Sequence, residues 1–326
     1  MTTLAHDDPT AGRASRLSGG LVLALVSAIS FGLSGALARP LLDAGWSPGA
    51  VTLIRIGLAA AVVLPFGVRA LGGRWSALRR NARIIVYYGL TAVAGAQFCY
   101  FSAVQYMQVG PALLIEYTAP AAVVVWFWLR HGQRPGAMTL GGAAVCVIGL
   151  VLVLDLLSGA DLSLPGLAWA LAAMVGAASY FIINGNHSYG LPPLTLAAGG
   201  LVVGALALGL LGLVGLLPMH AETADVVYAG TALAWWVPLI LLGVVTAAVA
   251  YTTGIAAGRA LGSRLASFVA LSEVVAGVVW AWLLLDQLPA PVQLLGGVLI
   301  LVGVIGVKLG EREISAGDAT PEPLPA

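Results

Sequence analysis

The sequence predicts an all-α polytopic membrane protein with ten transmembrane helices in two inverted five-helix repeats. Composition, the distribution of charge between loops and an internal repeat support this prediction. Of the 326 residues, 60% are hydrophobic and 9% are charged, whereas a typical soluble domain has about 25% charged residues. A soluble core cannot enclose this much apolar sequence, because single cores stop growing at roughly 250–300 residues. Lipid is therefore the expected solvent for most of the chain.

Apolar windows of about 20 residues, the length that crosses a bilayer, fit the sequence at ten positions. The predicted spans are 18–38, 48–68, 84–105, 111–129, 137–155, 165–184, 194–216, 235–257, 265–285 and 291–308. They divide the chain into one repeat at 17–156 and another at 163–309, with disordered tails at 1–16 and 310–326. A cleavable signal peptide is an alternative for the first span, but its apolar run is longer than such peptides usually carry.

Positive charge collects in alternate connections between the predicted spans. Except for Arg39 and Arg55, every Lys and Arg lies in the N-terminal tail, near the C-terminus, or between spans 2–3, 4–5 or 8–9. The opposite connections hold Asp43, Asp155, Asp161, Glu222, Asp225 and Asp286. Because cytoplasmic loops are enriched in Lys and Arg, both termini are expected on the cytoplasmic side of the inner membrane. The net charge of +1 argues against a nucleic-acid partner.

Three short patterns recur in the same order in the second half of the chain. Trp126-Phe-Trp-Leu, Gln133-Arg-Pro135 and Leu140-Gly-Gly142 are repeated as Trp280-Ala-Trp-Leu, Gln287-Leu-Pro289 and Leu295-Gly-Gly297. The copies lie five predicted spans apart, so the second copy would be inverted across the membrane. Inverted repeats of this kind build secondary transporters, whose binding site lies between the halves near the bilayer midplane.

Three ionisable residues lie clearly inside predicted spans, namely Arg55, Glu116 and Glu273. Such residues are costly in a bilayer and mark functional sites. A buried glutamate could bind a substrate ammonium group or exchange a proton, and the alternative is a structural ion pair with Arg55. Pro120 has no N–H to donate to the carbonyl of Glu116, so a hinge is expected there.

Polar side chains on other spans could line the same cavity. Gln97 and Tyr100 share one face of the third span, and the sixth span offers Tyr180 and Asn184. No Ser–His pair, His-Glu-x-x-His pattern or carboxylate-rich magnesium motif occurs in the spans. We therefore predict no catalytic residue, metal or cofactor, and a membrane enzyme acting on lipid-linked substrates is a distant alternative.

The motifs together resemble the drug/metabolite transporter superfamily and its EamA-type branch. Ala112-Leu-Leu-Ile-Glu-Tyr-Thr-Ala-Pro120 is similar to a run in the threonine/homoserine exporter subgroup, and Arg55-Ile-Gly-Leu-Ala59 resembles the Arg-led second helix of the family. The resemblance places Tyr117 and Ser272 beside the two glutamates as further binding residues. The family usually has proline where this sequence has Val274. Whether the second repeat also has a hinge is therefore left open at this point.

The resemblance implies an inner-membrane carrier that exports a small polar metabolite, such as threonine or homoserine, by alternating access. Glu116 would bind the substrate ammonium group or exchange a proton, and Arg55 would orient the opposite charge. The expected partners are a small molecule, the lipid bilayer and a coupling proton. A multidrug or nucleoside-type efflux carrier is the alternative within transport.

Overall fold

The computed structural model describes residues 9–132, 135–154, 163–185 and 190–317. Over these residues nearly all of the regular structure is helical. The α-helices in chain order are α1 (Pro9–Asp43), α2 (Pro48–Leu71), α3 (Trp75–Arg80), α4 (Ala82–Tyr88), α5 (Ala96–Tyr106), α6 (Val109–Glu116), α7 (Ala119–His131), α8 (Ala137–Val153), α9 (Leu164–Gly185), α10 (Pro193–Leu213), α11 (Trp236–Gly243), α12 (Ala250–Val269), α13 (Ser272–Leu285) and α14 (Pro291–Gly317). Two π-helices, π1 (Gly89–Gly95) and π2 (Val244–Val249), and the strands β1 (Val226–Tyr228) and β2 (Thr231–Leu233) complete the set.

The predicted helical membrane class is confirmed. Seven helical segments among the described residues are long and apolar enough to cross a membrane, and three shorter apolar helices accompany them. The seven are Ser18–Asp43, Pro48–Leu71, Ala82–Tyr106, Val109–Trp126, Pro193–Leu213, Trp236–Leu261 and Pro291–Gly310; the shorter three are Ala137–Val153, Leu164–Tyr180 and Ser272–Leu285. Every predicted span overlaps one of these segments. The count of ten crossings stays a prediction.

The helical backbone extends past the predicted membrane part at both ends of the chain. Helix α1 begins at Pro9 and α14 ends at Gly317, whereas the sequence predicted disordered tails up to residue 16 and from residue 310. Proline is favoured in the first turn of a helix, where its missing N–H costs nothing. Local sequence therefore allows α1 to begin ahead of its apolar part.

Two helical segments of the chain contain π-helical turns, and two are interrupted. π1 joins α4 to α5 and π2 joins α11 to α12, while turns separate α6 from α7 at Tyr117–Thr118 and α12 from α13 at Ala270–Leu271. A π-helical turn and a broken helix both shift backbone hydrogen bonding locally and often occur at functional sites. Gln97, Glu116 and Glu273 are predicted site residues on such segments, whereas Arg55 lies on α2, which is continuous.

Helices α8 and α14 pack against each other through glycine. A Cβ on Gly149 would lie 2.6 Å from the carbonyl oxygen of Gly296, and a Cβ on Gly142 would lie 2.7 Å from that of Gly303. Early residues of α8 thus meet late residues of α14, which makes the pair antiparallel. Small residues at such a crossing let the backbones approach closely.

A β-hairpin lies between α10 and α11, in a connection whose role the sequence left unexplained. Ala229 and Gly230 form its turn with φ angles of 45° and 81°, as two-residue hairpin turns require. The Tyr228 hydroxyl donates to the carbonyl of Leu37 in α1 at 2.6 Å, and Ala229 N donates to the carbonyl of Leu284 in α13 at 3.1 Å. We call this end of the helices the hairpin end.

Replacing Gly142 by alanine should destabilise the protein, because the new Cβ would lie 2.6 Å from the backbone nitrogen of Val307. Overpacking of this kind costs about 1–3 kcal/mol, and thermal unfolding in detergent should show a lower Tm. The neighbouring Gly141→Ala is the control, because nothing lies within 4 Å of its Cβ position. Equal Tm values for the two variants would contradict the close approach of α8 and α14.

Candidate functional site

Glu116 lies at a break in its membrane segment. It is the last residue of α6, and α7 begins two residues later at Ala119. The Thr118 hydroxyl donates to the carbonyl of Ile115 at 2.7 Å and stabilises the turn. Pro120 lies in the first turn of α7, where proline interrupts no hydrogen bond. The break therefore precedes the predicted hinge residue, and the hinge role of Pro120 stays a prediction.

Glu273 lies beside a second break, in the first turn of α13. The turn at Ala270–Leu271 precedes it, so the helix is interrupted although Val274 stands where the family usually has proline. The hydroxyl of Ser272 donates to the carbonyl of Val269 at 2.6 Å. This predicted binding residue thus stabilises the end of α12.

A hydrogen bond joins the two breaks. The Tyr117 hydroxyl donates to Oε2 of Glu273 at 2.6 Å and lies 3.5 Å from the carbonyl oxygen of Ala270. Both Tyr117 and Glu273 were predicted site residues, but their sequence separation gave no sign of the contact. The bond brings the α6–α7 and α12–α13 turns to one place.

Arg55 is held by neutral groups. Its side chain is 1% exposed, and its two terminal nitrogens donate to Oε1 of Gln97 and to the carbonyl of Thr246, the latter at 3.0 Å. The guanidinium also lies over the ring of Phe101, 5.3 Å from the centroid. Its Nε is buried without a hydrogen-bond partner among the described residues.

The predicted alternative of a glutamate–Arg55 ion pair is wrong for the side chains that the structure describes. The ion pair found there joins Arg39 to Asp43 at 2.9 Å. Glu116 is only partly buried and makes no hydrogen bond to any described residue. It does lie within electrostatic reach of both Arg55 and Glu273. One cation and two carboxyl groups therefore share a single region, and the Glu116 carboxyl and the Arg55 Nε have no partner there.

The remaining predicted residues differ in their placement. Tyr100 is 3% exposed and its hydroxyl has no partner in the described part of the chain. The ring of Tyr180 packs against that of Tyr88 with centroids 6.1 Å apart, and Tyr180 lies within electrostatic reach of Glu273. Asn184 belongs to α9, but its side chain lies outside the described residues.

Three residues of this region were missed by the sequence reasoning. Phe101 lies one helical turn from Gln97 on the same face of α5, so the shared face was an available signal. Tyr251, which packs edge-on against Phe31 with ring centroids 5.0 Å apart and lies near Arg55, is the counterpart of Gln97 in the repeated spacing. Thr246 contributes a backbone carbonyl from π2, which no side-chain pattern can predict.

Metal ligands do not gather in the described part of the chain. No group of three or more His, Cys, Asp or Glu residues there could hold a metal ion. The polar groups of the site suit an organic ion with both charges. A carboxylate could approach the guanidinium, and an ammonium group could approach the carboxyl groups.

A comparison with protein families finds the EamA-like transporter family twice in this chain, at residues 18–155 and 164–309. One crystal structure superposes with a TM-score of 0.58 at 21% sequence identity, covering 92% of this chain and 99% of that one. At this identity the superposition supports the fold alone.

Curated relatives cover most of the chain at low identity. The inner membrane transporter YicL of Salmonella typhimurium strain LT2, whose name describes it as uncharacterized, is 24% identical over 90% of this chain and 96% of its own length. The threonine/homoserine exporter RhtA of Escherichia coli K12 is 25% identical over 90% of this chain and 93% of its own length. A probable terminal-alkyne amino-acid exporter of Streptantibioticus cattleyicolor is 25% identical over 82% of this chain and 86% of its own length.

Removing the Tyr117 hydroxyl with Tyr117→Phe should lower the free energy of unfolding by about 2 kcal/mol, since a hydrogen bond to a charged group contributes about 1.5–3 kcal/mol. Denaturant or thermal unfolding in detergent would measure the change. Tyr87→Phe is the matched control, because Tyr87 is 51% exposed. Equal stability of the two variants would show that the Tyr117–Glu273 bond does not hold the two turns together.

Proposed function

The chain belongs to the EamA-like transporter family, and we propose that it is a secondary transporter that exports an amino-acid-like metabolite by alternating access. Two relatives bear names of exporters of amino acids or of related compounds. The observation that carries the proposal is the arrangement of Arg55, Glu116 and Glu273 in one region, with unpartnered polar atoms of both signs. Such an arrangement suits a zwitterion better than an apolar drug.

In this proposal Glu116 binds the substrate ammonium group. The residue is partly buried and its carboxyl makes no hydrogen bond to a described residue, so the carboxyl is free to accept one from the substrate. The substrate carboxylate would approach the Nε of Arg55, which also lacks a partner in the described structure. A molecule without matching polar groups would leave these buried atoms unpaired, and a site of this kind therefore rejects it.

Glu273 has a different role in the proposal. Its carboxyl already accepts a hydrogen bond from Tyr117 at 2.6 Å, and the pair bridges the two helix breaks. Proton uptake by either glutamate would change the charge of the site and so the affinity for a cationic group. A proton is therefore the coupling ion that we propose.

Repeated spacing supports a design of ten crossings in two inverted halves. The same separation relates Trp126 to Trp280, Gln133 to Gln287, and the end of α7 at His131 to the end of α13 at Leu285. The antiparallel packing of α8 on α14 agrees with inversion. The arginine-rich ends of the helices would then face the cytoplasm, and the hairpin end would face outward.

Contacts at the hairpin end support a conformation closed to the outside. The hairpin bonds to α1 and to α13, as described above. Arg39 donates to the carbonyls of Val104 and Met107 at 2.9 and 3.2 Å, and Gln287 Oε1 accepts from Val109 N at 3.2 Å. The bond of Tyr228 to Leu37 and that of Val109 to Gln287 connect the two halves, so they would have to break before substrate could leave outward.

Replacing Glu116 by glutamine should reduce transport to background while the protein stays folded. The change removes the charge that would bind the ammonium group and keeps the shape of the side chain. Efflux of labelled threonine and homoserine from proteoliposomes, together with size-exclusion chromatography, would measure both properties.

The control for this variant is Glu222→Gln, because Glu222 is exposed near the hairpin end and should tolerate the change. Flux of Glu116→Gln equal to that of the wild type would contradict the site. Competition by purine nucleosides or cationic dyes, without competition by amino acids, would instead favour a multidrug or nucleoside-type carrier.

Cross-linking the hairpin to α13 should stop transport reversibly. Cysteines at Ala229 and Leu284, whose backbones are hydrogen bonded at 3.1 Å, would be oxidised in a background with Cys99→Ala and Cys146→Ala. Oxidation should abolish flux and reduction should restore it, since α13 could no longer move away from the hairpin, which is itself bonded to α1. The single-cysteine variants are the controls, and full flux after complete cross-linking would exclude a movement of α13 away from the hairpin during transport.

A further inference from the structure

An apolar groove opens on the outer surface of α2, α4 and α10, at the end opposite the hairpin. Its volume is about 320 Å³, within the range of about 300–1,000 Å³ typical of small-molecule sites. Parts of α2, α3, α4 and α10 form its walls, and the side chains that line it are mostly aliphatic. They include Leu64, Val68, Trp75, Leu78, Val86 and Val202.

The close packing of α2 on α10 shapes the floor of the groove. Thr195 donates to the carbonyl of Gly67 at 2.8 Å, and a Cβ on Gly67 would meet the side chain of Ala198. The walls are open to the outside, because Leu64, Trp75 and Val86 are 41%, 53% and 45% exposed. A lipid chain could therefore enter sideways without displacing a helix.

The mouth of the groove is strongly basic. Arg69, Arg74, Arg79, Arg80 and Arg83 belong to the segment that contributes Leu71, Trp75, Leu78 and Ala82 to the lining, and all five arginines are exposed. None of them forms an ion pair with a described residue, and no Asp or Glu occurs between Asp43 and Glu116 in the sequence. This positive charge thus has no counterpart within the described structure.

We propose that this groove binds an anionic phospholipid, with one acyl chain along α2, α4 and α10 and the phosphate against the arginines of α3 and the start of α4. Apolar lining and unpaired arginines are both needed for such a ligand, and here they are adjacent. Basic pockets between membrane helices recognise anionic headgroups, and each basic residue near the surface strengthens binding by about fivefold. Trp75 suits the interface between headgroup and acyl chain.

A lipid bound in the groove would contact helices that also carry residues of the proposed transport site. Helix α2 carries Arg55, and α4 continues through π1 into α5, which carries Gln97. The groove therefore lies between the two segments that hold the buried cation in place. The binding proposal itself does not depend on the proposed function, and its test measures lipid rather than flux.

Native mass spectrometry of the purified protein, titrated with dioleoyl phosphatidylglycerol or dioleoyl phosphatidylcholine, tests the proposal. The wild type should retain phosphatidylglycerol in preference to phosphatidylcholine. The combined variant Arg79→Gln, Arg80→Gln, Arg83→Gln should bind phosphatidylglycerol at least about tenfold more weakly. The matched variant with lysine at the same three positions keeps the charge and should stay within about threefold of the wild type.

Two further variants separate the groove from the charged membrane surface. Val86→Trp fills the groove and leaves every arginine in place, so it should also lose preferential phosphatidylglycerol binding. Arg259→Gln removes an exposed arginine elsewhere on the predicted cytoplasmic side and should bind as the wild type does. Unchanged binding in Val86→Trp or in the glutamine variant would overturn the proposal, as would equal retention of the two lipids by the wild type.

Discussion

Burial of a guanidinium inside a membrane-spanning helix is the constraint on which the centre of this structure depends. Arg55 is 1% exposed, and a charge at that depth must be compensated by polar partners. The compensation comes from two elements, since Gln97 and Phe101 lie in α5 and the carbonyl of Thr246 lies in π2. Helices from both halves of the chain are thereby fixed around one cation. A backbone carbonyl is available inside a span because a π-helical turn changes the local hydrogen-bond register.

The glutamates are positioned by a second constraint, the close approach of helix backbones. A Cβ on Gly32 of α1 would lie 2.8 Å from the carbonyl oxygen of Glu273, and a Cβ on Gly277 would contact Leu113 of α6. Glycine at these two positions lets α1, α6 and α13 meet beside the backbone of Glu273. The approach also brings Tyr117 within reach, so its hydroxyl can bond to Glu273 at 2.6 Å. The position of Glu273 in this region therefore depends on helix packing, which is possible because glycine leaves room for the backbones to approach.

Sequence reasoning predicted the features of this fold that depend on local composition. Every predicted span has a helical counterpart, because runs of apolar residues decide what enters lipid. Arg55, Glu116 and Glu273 were recognisable because charges are rare in such runs. Partners were not predictable in the same way: Glu273 bonds to Tyr117 and Arg55 bonds to Gln97, since three-dimensional packing decides between the available groups. The break before α13 forms without proline, and the hairpin at Ala229–Gly230 depends on contacts with Leu37 and Leu284 that lie far away in sequence.

The repeated spacing does not produce two equal binding groups. Residues related by the separation between Trp126 and Trp280 have different side chains: Gln97 corresponds to Tyr251, and Glu116 corresponds to Ala270. The carbonyl oxygen of Ala270 lies 3.5 Å from the Tyr117 hydroxyl. Glu273 corresponds to Ala119, so each half contributes one glutamate, on opposite sides of its own helix break. One of them is bonded to Tyr117 and the other has no bond to a described residue. Positions with the same spacing therefore carry unlike side chains, and the region around Arg55, Glu116 and Glu273 is asymmetric. In the proposed transport role, this asymmetry would distinguish the two ends of a zwitterion, which a site with identical halves could not do.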